Sequence, residues 1–339
     1  MLCMDENELA FRTSFRRTLS CAKHLVMSSI PATDGGLRKL MAFALHSHTP
    51  SGYTFVLKYS FCRRERDGDK VLKVAAAVHL LHQSSVIIDD IFDSAEVRHG
   101  RPPVYLNYDV NHGIIAAELL QTVALRYVSE ELVKPCFRNR EIAFKLLNQI
   151  LLDGYVGQYL DLFNSSRIGI SRKEYYRVIA LGAGRVFQNI ARCGALLAGK
   201  SPEEIHALSN FAYAYGMALF IIDDIIDMLP AKATGKTYAS DLKRHRMRLP
   251  IIMALRLCDH NQRKVLDRFL RKGAADETFI PQVVNVIRDS GALKASFCMA
   301  NQYLATSLRS LAKLPPSITT ERFHWLAERL VVRPLGSHR

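Results

Sequence analysis

Apolar residues recur along this chain at the three- and four-residue spacing of helices that bury one face. Between residues 71 and 93 the apolar or small face consists of Val71, Leu72, Val74, Ala75, Val78, Leu81 and Ser85. Helix starts are predicted at Ser171, with Glu174 three residues later, and at Ser201, with Pro202 at the first helical position. No alternating strand pattern with hairpin signals is present. The pattern predicts an all-α chain.

Short breaks rich in glycine, aspartate or proline divide the periodic segments at residues 67–69, 102–103 and 315–316. No shift in composition, low-complexity tract or short repeat marks a linker between domains. We therefore expect an N-terminal helical extension over residues 1–30 and a single all-helical domain over residues 31–339.

Two acidic runs of the form Asp-Asp-x-x-Asp each follow an apolar stretch of helical character. Their aspartates are Asp89, Asp90 and Asp93 in the first run and Asp223, Asp224 and Asp227 in the second. Carboxylates at positions i, i+1 and i+4 project largely from one side of a helix, where they repel one another unless a cation lies between them. A single run of this kind is usually a solvated helix end. Because oxygen ligands suit Mg²⁺, the pair of runs predicts magnesium sites that a diphosphate would complete.

Composition narrows the function classes. The chain of 339 residues is 49% hydrophobic, enough for a substantial core, yet it has no run of about 18 uncharged apolar residues, so we expect no transmembrane segment. Seven scattered cysteines without a Cys-x-x-Cys pair predict reduced thiols and a cytoplasmic location. The net charge of +14 is spread along the chain without a nucleic-acid motif. It favours an anionic substrate or an anionic membrane surface as partner and argues against nucleic acid.

The motifs resemble those of the trans-isoprenyl diphosphate synthases, the polyprenyl synthetase family. Residues 89–102 resemble the first aspartate-rich region of that family. Residues 223–227 resemble the second aspartate-rich region of that family. The residues that follow them continue the resemblance: Gly235, Lys236, Asp241, Leu242, Arg246, Leu249 and Pro250. Gly157, Gln158, Asp161 and Leu162 are similar to the mid-chain Gly-Gln-x-x-Asp element. The resemblance extends from about residue 35 to the C-terminus.

The resemblance implies an isoprenoid-synthase-type bundle of long helices around a deep apolar pocket, commonly a homodimer. It also implies a reaction. An allylic diphosphate (dimethylallyl, geranyl or farnesyl) ionises, the double bond of isopentenyl diphosphate attacks C1 of the cation, and a proton is lost. The implied cofactor is Mg²⁺, as three ions with bound diphosphate. Loss of diphosphate builds negative charge, which bound cations stabilise more in the transition state than in the substrate.

Individual roles follow from the same resemblance. All six aspartates are implied as metal ligands. The implied catalytic set is Asp89, Asp90, Asp93, Asp223, Asp224 and Lys236. Fixed cations on the allylic diphosphate would be Arg98, Lys236 and Arg246, since arginine's fork suits phosphate oxygens and lysine acts as a point charge. Gln158 is implied as a substrate contact.

The expected isopentenyl diphosphate site departs from the family pattern. Where the family has Gly-Gly-Lys-Arg-x-Arg-Pro, residues 35–41 keep Arg38 but carry Leu37 at the lysine position. His99 replaces the second of the paired arginines after the first run. His82 stands where the family places a third ligand, although a histidine on an apolar face is also a common core residue.

The allylic side departs at two places. Gly182 and Ala183 align with the family's Lys-Thr pair, and Arg185, one turn later, could supply the charge. The family's Phe-Gln before the second run is Leu219 and Phe220. Phe220 could lie along a developing carbocation and attract it through its ring face, or it could pack in the core, which we favour.

These departures keep two other functions open. A chain that retains the metal and allylic sites but has a weakened acceptor site could cyclise a prenyl diphosphate, as a class I terpene synthase of the isoprenyl-synthase-like type. A non-catalytic subunit of a heteromeric prenyl synthase is the third candidate. The presence of all six aspartates counts against it, because such subunits tend to lose the acidic motifs.

Product length is predicted from the positions one turn before Asp89. Ser84 and Ser85 are both small there, so no aromatic ring blocks a chain that descends beside this helix. We expect products longer than C15, with geranylgeranyl diphosphate (C20) as the favoured product.

Overall fold

The structure is a computed structural model that describes residues 5–46, 52–98, 100–165, 167, 169–229, 239–244, 246–272 and 279–332. Its α-helices are α1 (Glu6–Ser29), α2 (Gly35–Ala44), α3 (Gly52–Phe61), α4 (Leu72–Phe92), α5 (Val104–Asn107), α6 (Val110–Leu132), α7 (Arg140–Ser165), α8 (Arg172–Ile179), α9 (Arg185–Leu197), α10 (Pro202–Asp227), α11 (Ser240–Lys243), α12 (Leu249–Leu257), α13 (His260–Lys272), α14 (Ile280–Asp289), α15 (Ala292–Leu311) and α16 (Ile318–Val332). A 3₁₀ turn covers Glu65–Asp69, and a π-helical turn, Ala180–Gly184, joins α8 to α9. These ranges contain no strand, so the all-α prediction is confirmed.

The helix ends follow the local sequence signals. The helix predicted over residues 71–93 is α4, Leu72–Phe92. Ser171 caps α8 by accepting from the backbone N–H of Glu174, whose side chain accepts from Ser171 in return. Ser201 caps α10 in the same way. Each reciprocal pair satisfies backbone N–H groups that a helix start leaves without intrahelical partners.

The chain forms two compact units. Unit 1 comprises residues 1–148, 190–205 and 316–322, and unit 2 comprises residues 149–189, 206–315 and 323–339. The division into an extension over residues 1–30 and a domain over residues 31–339 stays a prediction.

In unit 1, α4 packs along α6 and also contacts α1 and α3. Its core includes the fully buried side chains of Leu25, Phe55, Leu80 and Leu120. α6 comes close to the end of α4 at Gly113, where an added Cβ would lie 3.0 Å from Cδ1 of Ile91. Burial of this apolar surface, worth about 25 cal/mol per Å², holds the carboxyl end of α4 in place.

In unit 2, aromatic rings pack around α10. Phe211 stacks on Phe323 with centroids 4.7 Å apart, and Phe187 meets Tyr215 edge-on at 5.3 Å. Gly216 allows α10 to approach the π-helical turn and the start of α9, because an added Cβ there would lie 3.0 Å from the carbonyl oxygen of Ala183 and 2.8 Å from the ring of Phe187. Isolated π-helical turns inside α-helices frequently occur at functional sites.

α10 is long and apolar enough to cross a membrane by length and composition, but 67% of its apolar window is buried inside the protein. A buried core helix meets the same criteria, so this helix is weak support for a membrane span.

Candidate active site

The first acidic run forms the carboxyl end of α4 in unit 1. Asp90 is buried, Asp89 and Asp93 are half-buried, and Asp93 is the C-cap residue. The carboxyl end of a helix carries a partial negative charge, so three carboxylates there are destabilised by the helix as well as by one another. Their position favours binding of a cation.

Arg98 supplies one cation to this run. Its Nε donates to Oδ1 of Asp90 at 2.7 Å, and its Nη2 lies 3.9 Å from Oδ2 of Asp89. Between Asp90 and Arg98 the chain turns at Ser94, which adopts a left-handed backbone conformation with φ of 48°, and Gly100, with φ of 77°, turns the chain after Arg98. Arg98 is thus placed beside the run, as predicted for a fixed cation, although its role towards a diphosphate stays a prediction.

The residues predicted to bind isopentenyl diphosphate are engaged elsewhere in unit 1. Nη1 of Arg38 donates to the carbonyls of Met27 and Ile30 at 2.7 and 2.8 Å, at the carboxyl end of α1. The ring of His82 packs against Tyr53 with centroids 4.9 Å apart. His99 lies outside the described residues.

Ser84 and Ser85 differ in exposure. Ser84 is buried, whereas Ser85 is exposed and its hydroxyl donates to the carbonyl of His82 at 2.8 Å. A larger side chain can be accommodated at Ser85 without displacing the core.

The second acidic run forms the carboxyl end of α10 in unit 2. Asp224 is buried and accepts a hydrogen bond of 2.5 Å from the hydroxyl of Tyr175. Burial raises the pKa of Asp224 to about 7, while Arg248 opposes the shift. The pKa of Tyr175 is raised well above its usual value, first by burial and then by Asp224. Asp223, on the same turn, is half-buried.

Asp227 organises the chain that follows. Its Oδ1 accepts from the hydroxyl and backbone N–H of Ser240 at 2.6 and 3.1 Å, and its Oδ2 accepts from the N–H of Asp241 at 3.0 Å. Asp227 thereby satisfies the first N–H groups of α11. Burial raises the pKa of Asp227, and the nearby Asp241 raises it further.

Two buried arginines lie between these carboxylates. Nη1 of Arg246 and Nη1 of Arg248 both donate to Asp161, each at 2.7 Å. Nε of Arg248 lies 3.2 Å from Asp241 and 3.8 Å from Asp224. Burial lowers the pKa of Arg248, but these carboxylates outweigh it and hold the pKa well above its usual value. The predicted cation Arg246 is therefore paired with Asp161.

Both runs have the oxygen chemistry that Mg²⁺ requires. Within the described ranges, no group of three or more His, Cys, Asp or Glu side chains is arranged to hold one ion. Mg²⁺ usually binds through one or two carboxylates plus waters and substrate phosphates.

The remaining predicted residues lie on the helices of unit 2 or outside the described ranges. Nε of Arg185 is 3.0 Å from Oδ2 of the buried Asp153. Gly182 faces open space, because an added Cβ would have no atom within 4 Å. Gln158 and Phe220 are half-buried on α7 and α10. Lys236 lies outside the described residues.

The sequence reasoning missed Tyr175, Arg248 and the pairing role of Asp161. Asp161 had a signal, since it ends the Gly-Gln-x-x-Asp element. Tyr175 and Arg248 had none, because their partners are distant in the sequence. A recess in unit 2 is lined by Asp161, Asn164, Ile170, Tyr175, Val178, Arg246, Met247 and Arg248.

The sequence and the fold of this chain are similar to those of known proteins. A family model described as polyprenyl synthetase matches residues 50–287. The geranylgeranyl diphosphate synthase of Sulfolobus acidocaldarius is 24% identical over 329 residues, covering 95% of this chain and 98% of that protein. A short chain isoprenyl diphosphate synthase of Methanothermobacter thermautotrophicus is 27% identical over 269 residues, covering 77% and 79%. The crystal structure of geranylgeranyl pyrophosphate synthetase from Pyrococcus horikoshii shares the fold, with a TM-score of 0.85 at 23% identity, covering 96% of this chain and 99% of that one.

Proposed function

This chain belongs to the polyprenyl synthetase family and is an isoprenyl diphosphate synthase, and we propose that it joins isopentenyl diphosphate to an allylic diphosphate. The allylic substrate would be dimethylallyl, geranyl or farnesyl diphosphate, and the product geranylgeranyl diphosphate. The observation that carries this proposal is the position of both acidic runs. Each ends a long helix, where a bound cation would further relieve the repulsion among its carboxylates.

The chain's own residues would act on the diphosphate leaving group. Arg98 in unit 1 is a cation fixed by Asp90, and Arg246 and Arg248 in unit 2 are cations fixed by Asp161. A fixed cation stabilises developing negative charge without reorganising during the reaction. Lys236 is proposed as a further cation on the allylic diphosphate.

Mg²⁺, as three ions, is the proposed cofactor. When bound it would neutralise the leaving diphosphate. The residues proposed to hold it are the six aspartates of the two runs. The contacts of Asp224 and Asp227 with the protein suggest that these two also orient the segment around the ions.

Two observations support geranylgeranyl diphosphate, rather than a shorter prenyl diphosphate, as the product. The exposed Ser85 leaves space beside α4, one turn before the first run. Two similar proteins, from Sulfolobus acidocaldarius and Saccharolobus solfataricus, are named geranylgeranyl diphosphate synthases.

The test is incubation of the purified full chain with Mg²⁺ and labelled isopentenyl diphosphate, with and without each allylic diphosphate. We expect label in a C20 diphosphate only when both substrates are present. Label in no prenyl chain with any of the allylic substrates would refute elongation. Omission of Mg²⁺ should abolish incorporation.

Cyclisation is a second candidate, favoured by one observation. The guanidinium of Arg38 is held by the carbonyls of Met27 and Ile30, and Leu37 stands at the position of the family's lysine. Both changes weaken the expected acceptor site. Hydrocarbon or alcohol formed from an allylic diphosphate alone would identify a terpene synthase. A requirement for a second protein would instead identify a subunit of a heteromeric synthase.

A homodimer is proposed from an exposed apolar stripe on α7, in unit 2. Its members are Leu152, Tyr155, Val156, Tyr159 and Phe163, at the spacing of one helix face. Contiguous apolar surface of this kind is uncommon on monomers, and an uncharged helix face can pack against its own copy across a two-fold axis. We also propose a cytoplasmic location, on the basis of the scattered cysteines.

A further inference from the structure

Tyr175 holds one side of the Asp224 carboxylate. Its hydroxyl donates to Oδ2 at 2.5 Å, and both side chains are buried. The position of Tyr175 is itself fixed, because α8 begins at the reciprocal cap of Ser171 and Glu174. Few side-chain motions are open to the hydroxyl.

Arg248 holds the other side of the same carboxylate. Its Nε lies 3.8 Å from Oδ1 of Asp224, while Nη1 donates to Asp161 at 2.7 Å. Rotation of the Asp224 carboxylate would therefore weaken contacts with a hydroxyl and a guanidinium at the same time. The adjacent residue, Asp223, stands on the same turn of α10.

We propose that Tyr175 is a positioning residue, which fixes the Asp224 carboxylate so that the second acidic run binds Mg²⁺ and diphosphate without rearrangement. This inference rests on the proposed function, which gives that run its ligand. Groups that orient metal-binding side chains typically contribute 10–100-fold to metal affinity, because a mobile ligand must be ordered on binding.

A purely structural role for the Tyr175 hydroxyl makes a different prediction. It would lower the melting temperature when removed and leave the affinity for Mg²⁺ and pyrophosphate unchanged in the folded protein. The next residue provides a matched control. The hydroxyl of Tyr176 lies 3.1 Å from Sδ of Met299, away from any carboxylate contact described for the run.

The test is calorimetric titration of Mg²⁺ into the full-length protein with inorganic pyrophosphate, together with thermal melting. Tyr175→Phe should raise the Mg²⁺ concentration for half-maximal pyrophosphate binding by about tenfold, the lower end of the range for orienting groups. Tyr176→Phe should leave it unchanged. Unchanged binding by folded Tyr175→Phe overturns the proposal, as does an equal loss in Tyr176→Phe.

A second comparison tests whether Tyr175 acts through Asp224. Asp224→Asn and the double variant Tyr175→Phe/Asp224→Asn should bind Mg²⁺ and pyrophosphate equally, because no carboxylate remains to be positioned. Weaker binding by the double variant overturns the inference.

Turnover separates this inference from the proposed function. Wild-type protein that binds pyrophosphate as expected but does not elongate leaves the positioning role standing and refutes elongation. Wild-type protein that elongates, with Tyr175→Phe unaltered in Mg²⁺ dependence, refutes the positioning role alone. Failure of wild type to bind Mg²⁺ and pyrophosphate refutes both.

Discussion

Replacement of His79 should make the protein more stable and less sensitive to acid. This side chain is 1% exposed in the middle of α4, with its ring edge-on to Phe15 of α1 at 5.6 Å. Within the described part of the chain neither ring nitrogen has a hydrogen-bond partner. Burial, together with a smaller effect of the charge of Lys23, lowers the pKa of His79 to about 4 from its usual 6.5.

The direction of the pH effect on stability depends on whether the folded or the unfolded state takes up the proton. Below pH 6.5 the unfolded chain protonates His79 while the folded protein does not, so the free energy of unfolding falls as the pH drops towards 4. At 1.36 kcal/mol for each pH unit that separates the two pKa values, the loss is about 3 kcal/mol. At pH 7 the histidine is neutral in both states, and only the cost of its unpaired nitrogens remains, about 1–3 kcal/mol.

The assay is urea denaturation of full-length wild type and His79→Leu between pH 7 and pH 4, followed by circular dichroism. The variant should be more stable at pH 7, and its advantage should grow by about 3 kcal/mol at pH 4. His24→Leu, at an exposed position on α1, is the control and should follow wild type. An advantage for His79→Leu that stays constant with pH would contradict the reasoning.

Three further changes test the proposed function. Ser85→Phe should shorten the product, measured by chromatography of the dephosphorylated prenols. Ser84→Phe should do the same and should also lower the free energy of unfolding by about 1–3 kcal/mol, because Ser84 is buried. Unchanged product length in both variants would refute this pocket wall. Gly182→Lys should lower the KM for the allylic diphosphate about tenfold, which corresponds to about 1.4 kcal/mol from the added charge. Gly182→Ala should leave this KM unchanged. Equal KM values in the two variants would refute the placement of the allylic diphosphate beside Gly182. Tyr159, in the exposed apolar stripe on α7, is 66% exposed. Tyr159→Glu should convert a dimer to a monomer, measured by analytical ultracentrifugation. A dimer that persists in this variant would rule out the stripe as the interface.

Local features of the fold could be predicted from the sequence. The bounds of α4, the caps at Ser171 and Ser201 and the breaks between helices depend on residues within one or two turns of each other. The prediction that each acidic run ends an apolar helix is confirmed for the same reason.

The partners of the charged residues could not be predicted, because they are set by packing between distant segments. Arg246 meets Asp161 across 85 positions, and Tyr175 meets Asp224 across 49. Even Arg98, only eight residues from Asp90, reaches it through the left-handed Ser94, which no periodic pattern indicates. Arg38 matched the expected acceptor motif, yet its side chain completes the end of α1.

Asp227 has a consequence for how the second run is studied by mutation. Its carboxylate and its backbone carbonyl together accept four hydrogen bonds from N–H and O–H groups of residues 239–241. Asp227 therefore holds these residues against the end of α10. Alanine substitutions of Asp223, Asp224 and Asp227 would each reduce turnover, and the measured losses would be similar. At Asp223 and Asp224 the loss would report a missing ligand, whereas at Asp227 it would also report the loss of the contacts that hold residues 239–241.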